Sequence, residues 1–311
     1  VGALSAALRC GIGYARAMPF VVGLTLALLA LPCAAAAQGA SAQGAPTRIH
    51  VVGASVSGGF EDGPLFGGET QGDSIAMRRI WQRWCGEAAR VTTHSPVEMC
   101  FMFRDPARIG RRQLKFAKRK QPDLVVAVDF LFWFAYGVVA GDEAEARERR
   151  LREGLALLAE LDAPVLLGDL PDMRGAATRM LRPAQVPSVP VLLALNQRVR
   201  AFARGRPNVT LVPLAALVAE LRGEGVTLPF SSGPVRTAPL ALLQPDRLHA
   251  TRLGAAYLAY RMQGALRGRF SGAHPLGSRE RTFDAFVEAA GAVDEAELAR
   301  RSGGPGRGAR R

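Results

Sequence analysis

The sequence is poor in the residues from which metal centres and disulfide frameworks are built. Its 311 residues hold four cysteines and four histidines. No cysteines stand as Cys-x-x-Cys or cluster with histidine, so neither a structural zinc site nor any other metal or cofactor is expected. Acid is scarce too: 27 Asp and Glu face 40 Lys and Arg, a formal charge of +13. An excess of that size can mark an anionic partner. Here it is scattered and partly held in a Gly/Arg tail. No aromatic residue interleaves the exposed positions of the basic run Arg108 to Lys120, as base stacking would need. No nucleic-acid partner is expected. The apolar run Phe20 to Leu31 is too short for a comfortable bilayer span, so no stable membrane anchor is expected either.

What the N-terminal region does contain looks like an export signal. Arg9 and Arg16 precede the apolar run, and Ala34 to Ala37 before Gln38 offers a small-residue cleavage site. Residues 1–37 are therefore expected to be a signal peptide and the chain to be periplasmic or secreted. Residues 38–47, rich in Gln, Gly, Ala and Ser, follow as a flexible linker. Cleavage would leave Cys85 and Cys100, for which a disulfide and two buried free thiols are both open readings.

The remaining chain alternates strand and helix. Short stretches at 49–52, 89–93, 123–128, 164–168 and 209–212 read as strands, and the apolar run at 123–128, lacking alternation, as a central one. Helical spacing appears at 73–86, 108–120, 142–162, 191–203 and 251–266. Residues 60–71 and 226–244, Gly- and Pro-bearing without a period, read as crevice loops. The segment 271–311 reads as a polar helix near 281–300 and a disordered tail. This pattern predicts one domain over 48–270, a three-layer α/β/α sandwich with a central parallel sheet, flavodoxin-like in type.

Two stretches carry the chemistry. The first strand breaks at Gly53-Ala-Ser55-Val-Ser-Gly-Gly59, which puts Ser55 at the C-terminal edge of the sheet, where open α/β folds keep their ligand crevice. Far along the chain, Asp246-Arg-Leu-His249 stands just ahead of the last long helix. A serine hydroxyl needs a base, and a histidine base works best when a carboxylate holds its tautomer. Ser55 is thus the candidate nucleophile, His249 the general base and acid, and Asp246 its orienter. The tripeptide Gly72-Asp-Ser74 has no strand before it, and Ser74 reads as a residue of a helix's first turn.

Together these blocks resemble the SGNH/GDSL hydrolase family, over roughly residues 48–267. The resemblance implies an acyl-serine mechanism and an oxyanion hole made by the serine N–H, a Gly and an Asn. The chain departs from it at Ala54, where the family has Asp. It departs again after the second strand, which runs into His94-Ser-Pro, and after the third, where Asp129-Phe-Leu-Phe stands without an Asn. Gly59, Asp129 and His94 are the substitute substrate or oxyanion candidates. Asp129 is open to two roles, a contact in the crevice or a cap on the following loop. The aromatic run Phe130, Phe132, Trp133, Phe134 and Tyr136 would line a pocket or fill the core. His50 reads as packed within its strand, and His274 falls outside the resemblance.

The sequence therefore points to an exported serine esterase acting on a small-molecule or polymer ester, an acylated carbohydrate or a lipid. The alternatives are a catalytically weak or inactive envelope binding or assembly protein of the same fold, and a holder of anionic polymer.

Overall fold

In a computed structural model, which describes residues 45–60, 76–176, 180–272 and 274–302, five short strands form one parallel sheet. They are β1 (Thr47–Val51), β2 (Ala89–Thr93), β3 (Leu124–Ala127), β4 (Val165–Gly168) and β5 (Val209–Val212), in the order β2-β1-β3-β4-β5. All four pairings are parallel. Every residue of β3 and β4 is buried, which is why these strands show continuous apolar runs instead of alternation. The signal-like segment, most of the linker, Ser74 and the tail beyond 302 lie outside the described residues.

Helices cover both faces. They are α1 (Ser55–Gly58), α2 (Met77–Cys85), α3 (Pro96–Cys100), α4 (Pro106–Lys120), α5 (Phe132–Ala135), α6 (Glu143–Ala159), α7 (Val189–Arg204), α8 (Leu214–Arg222), α9 (Arg252–Arg267), α10 (Phe283–Ala290) and α11 (Val293–Ser302). Ile49, Val51 and Val126 point to a core shared with α2, α9 and α10. Val52, Val125 and Ala127 point to the opposite core, filled from α4, α6 and α7. The chain turns one way from β1 to β2 and the other way to β3. The C-terminal ends of β1 and β3 therefore flank the switch point where such sheets open a crevice. No helix among the described residues is long and apolar enough to cross a membrane.

Two segments differ from expectation. Residues 226–244 include an antiparallel hairpin, β6 (Thr227–Phe230) and β7 (Gly233–Arg236). Leu228, Phe230 and Val235 face the core, and Pro229 and Pro234 are tolerated because a two-stranded ribbon leaves edges unpaired. The segment after 270 is no polar appendage. Phe283 and Phe286 of α10 are buried against Trp81, Trp84, Tyr257 and Tyr260, and the core continues to Ala296. Phe283, Phe286 and Val287 stand at helical spacing and are all buried, but the pattern lasts only two turns before Gly291 at φ +67° ends it, a window too short to stand out from its polar flanks.

His50 sits in β1 as a packed residue. Its Nδ1 is 2.8 Å from Thr92 Oγ1 and its ring lies 5.5 Å from that of Phe116. Burial, then the charges of His94 and Lys120, depress its pKa to about 4. The unfolded chain therefore takes up this proton first, so the stability it contributes is present above about pH 6.5 and lost as pH falls through about 4. Denaturant melts across this range should show His50→Gln less acid-sensitive than the parent by up to about 3 kcal/mol. Equal slopes would contradict the assignment.

Candidate active site

The turn after β1 is held from two directions. Val52 N–H still donates to Val126 O at 2.9 Å, but Gly53 adopts φ +156° and leaves the sheet. The buried amide of Gln113, from α4, binds both Gly53 backbone groups, accepting its N–H at 2.8 Å and donating to its carbonyl at 2.9 Å. From β3, Asp129 reaches under α1: Oδ2 accepts Val56 N–H at 2.9 Å and Ser57 N–H at 3.1 Å, and Oδ1 accepts the Ser57 hydroxyl at 2.5 Å. A Cβ at position 53 would stand 2.0 Å from Asp129 Oδ1, so the approach of the two loops requires glycine there. Burial pushes the Asp129 carboxyl up, while donors from Ser57, Ala54 and Val56 pull it down less strongly.

This turn presents Ser55 to the loop before α9. A turn at 244–249 is closed by Arg247 N–H to Gln244 O and Gln244 N–H to His249 O, both 2.8 Å, with Arg247 at φ +55°. Asp246, fully buried, accepts Leu248 N–H at 2.8 Å and His249 N–H at 2.9 Å on Oδ1. Its Oδ2 lies 2.5 Å from His249 Nδ1, and His249 Nε2 lies 2.7 Å from Ser55 Oγ. A carboxylate only accepts, so Nδ1 carries the proton and Nε2 offers its lone pair to the serine hydroxyl. Burial raises the Asp246 pKa, but the hydrogen bond and charge of His249 and the two backbone N–H groups more than offset it and hold the carboxyl below its usual range. The Phe60 ring packs 4.4 Å from the imidazole. Gln244 Nε2 donates to Phe60 O at 3.0 Å and Ala250 O at 2.7 Å, fastening this loop to the end of the serine turn.

The other candidates go elsewhere. Gly59 ends α1 at φ +83°, and its N–H donates to Ser55 O at 2.9 Å, so it is engaged within the turn. The His94 ring packs on Phe116 at 4.8 Å, its Nε2 is 3.5 Å from Glu98 Oε2, and it lines neither cavity that touches Ser55. Asp129 caps α1, and its acceptor oxygens face α1 donors. The Ser55 N–H has no hydrogen bond among the described residues. Phe130, Phe134 and Tyr136 are core residues, and Phe132 alone of the aromatic run reaches a cavity beside the serine. Cys85 and Cys100 are free thiols, pushed up by burial to about 12 and about 11. Among the described residues no group of three His, Cys, Asp or Glu is placed to hold a metal ion.

Gln113, Gln244 and Phe60 were not singled out from the sequence. Gln113 alone left a trace, as a polar residue on the buried face of α4 between Ile109 and Ala117. Asp129→Ala would leave two buried donors of Ser57 and the half-buried Val56 N–H without an acceptor, a loss on the order of 3 kcal/mol. Chemical denaturation should show that loss, with Asp129→Asn intermediate; a variant as stable as the parent would contradict the cap.

No family model matches the sequence, and no curated protein matches it. Among solved structures the chain is similar to a gut microbial diltiazem-metabolizing enzyme, with 14% identity and a TM-score of 0.41 over 71% of this chain and 46% of that one. The chain thus spans about half the length of that enzyme. It is also similar to an acetyl xylan esterase, with 17% identity and a TM-score of 0.44 over 70% of this chain and 99% of that one.

Proposed function

We propose that this chain is a serine esterase of the SGNH/GDSL type. The observation that carries the reading is the continuous hydrogen-bonded line from Ser55 Oγ through His249 to Asp246, at 2.7 and 2.5 Å. In this mechanism His249 Nε2 takes the hydroxyl proton as Oγ attacks the ester carbonyl carbon. The carbonyl electron pair moves to oxygen, and that oxyanion meets the N–H of Ser55. The intermediate collapses with loss of the alkoxide, which His249 protonates, leaving an acyl-serine. Water, deprotonated by His249, then attacks the acyl carbon, and Ser55 departs with the proton. Asp246 fixes the imidazole tautomer and stabilises the imidazolium. The export-like segment Phe20 to Ala37 supports an envelope or extracellular substrate, an acylated carbohydrate or a lipid ester.

A second reading, a binding or assembly protein with the same crevice, is favoured by one observation. Asp129 stands where the family carries an Asn donor and is engaged in capping α1. A missing oxyanion donor costs on the order of 3 kcal/mol of barrier.

A fluorophosphonate probe separates the two. The parent should be labelled, and Ser55→Ala and His249→Ala should not be. Asp246→Asn should hydrolyse an activated ester roughly ten-thousandfold more slowly than the parent. A well-folded parent that takes no label would favour the binding protein.

A further inference from the structure

Two cavities meet at Ser55, and they differ in chemistry. The smaller is bounded by Gly59, Phe60, His249 and Ala255. The larger, partly open to solvent, runs from Ser55 and Val56 between the ends of β3 and β4 and the helices α8 and α9. Its walls include Phe132, Met173, Leu214, Val218, Leu221 and Leu258.

The larger cavity has almost nothing with which to hold a polar group. Apart from Ser55, its polar side chains are Asp129 and Asp169. Asp129 is engaged under α1. Asp169, also buried, accepts Ala215 N–H at 2.7 Å and Arg200 Nη2 at 3.1 Å, so it caps α8 and binds an arginine. A sugar or other polyol would lose its water there and find few partners, a costly exchange. An apolar chain would displace water from an apolar wall, and each methylene so buried favours binding roughly fourfold.

The direction of proton transfer decides which part of the substrate goes where. His249 must protonate the leaving oxygen, so the alcohol belongs on the side lined by His249, which is the smaller cavity. The acyl group is left with the larger one.

We propose that the larger cavity is an acyl-chain site, and that the substrate carries an unbranched apolar acyl chain longer than acetyl. The assignment rests on the esterase reading of Ser55 and sets its specificity. Val218 is the determining position. It lies one turn from Leu214 on α8, is buried, and lines the cavity wall.

The test uses p-nitrophenyl acetate, butyrate and octanoate, with the full chain labelled in parallel by a methyl fluorophosphonate. The parent should show kcat/KM for butyrate above that for acetate by about tenfold, with octanoate at least equal to butyrate. Val218→Phe, which fills the cavity, should lower the octanoate-to-acetate ratio by about tenfold or more. Val218→Ala, which widens it, should raise that ratio, and it reports on the site if the larger side chain prevents folding. A labelled parent that prefers acetate, or ratios unmoved by both variants, would overturn the acyl site while leaving the esterase reading intact. A folded parent that takes no label removes the esterase reading and this assignment with it.

Discussion

The structure of the site depends on one buried carboxylate. Asp129 extends from the end of β3 beneath α1, where two backbone N–H groups and the Ser57 hydroxyl converge on it. A carboxylate removed from water is costly unless its oxygens are satisfied, and here they are. The same contact ties the ends of β1 and β3 together at the switch point of the sheet. It also excludes every side chain from position 53, because a Cβ would fall onto its oxygen. Gln113 holds the other side of Gly53. With both sides fixed, Ser55 has little freedom of position, and His249 meets it without rearrangement.

The second half of the site is fixed by a different device. Asp246, Leu248 and His249 form a local turn in which one carboxylate binds two backbone N–H groups and the imidazole. These two constructions are 194 residues apart at the Ser55 to His249 contact. They are joined by Gln244, whose side chain binds the carbonyl of Phe60. Preorganisation of this kind counts for the proposed nucleophile because misplacement by about an ångström can cost on the order of a hundredfold in rate.

The sheet and the meeting of Ser55, His249 and Asp246 were legible in the sequence. Strands β2 and β5 lie at the residues expected for them, and β1, β3 and β4 differ by one or two residues at their ends. Apolar runs broken by Gly or Pro are local signals, and the Asp-x-x-His spacing closes within one turn. What escaped were interactions made across the fold. The α10 helix contributes Phe283, Phe286 and Val287 to the core from only two turns, and the β6–β7 hairpin hides its alternation behind two prolines. The candidates Gly59 and His94 were placed near the crevice by sequence position alone. Gly59 is engaged by the carbonyl of Ser55, and His94 by Phe116 and Glu98. Whether a donor faces a crevice depends on side-chain direction and competing partners, and neither is written in a strand-end residue.

Two serines stand two residues apart on α1, and the account gives them opposite roles. The Ser57 hydroxyl belongs to Asp129, and that of Ser55 to His249. The most direct measurement is to locate the adduct of a fluorophosphonate by tandem mass spectrometry of the digested protein. The modification is expected on Ser55, with none on Ser57. An adduct on Ser57, or on a serine elsewhere in the chain, would contradict it.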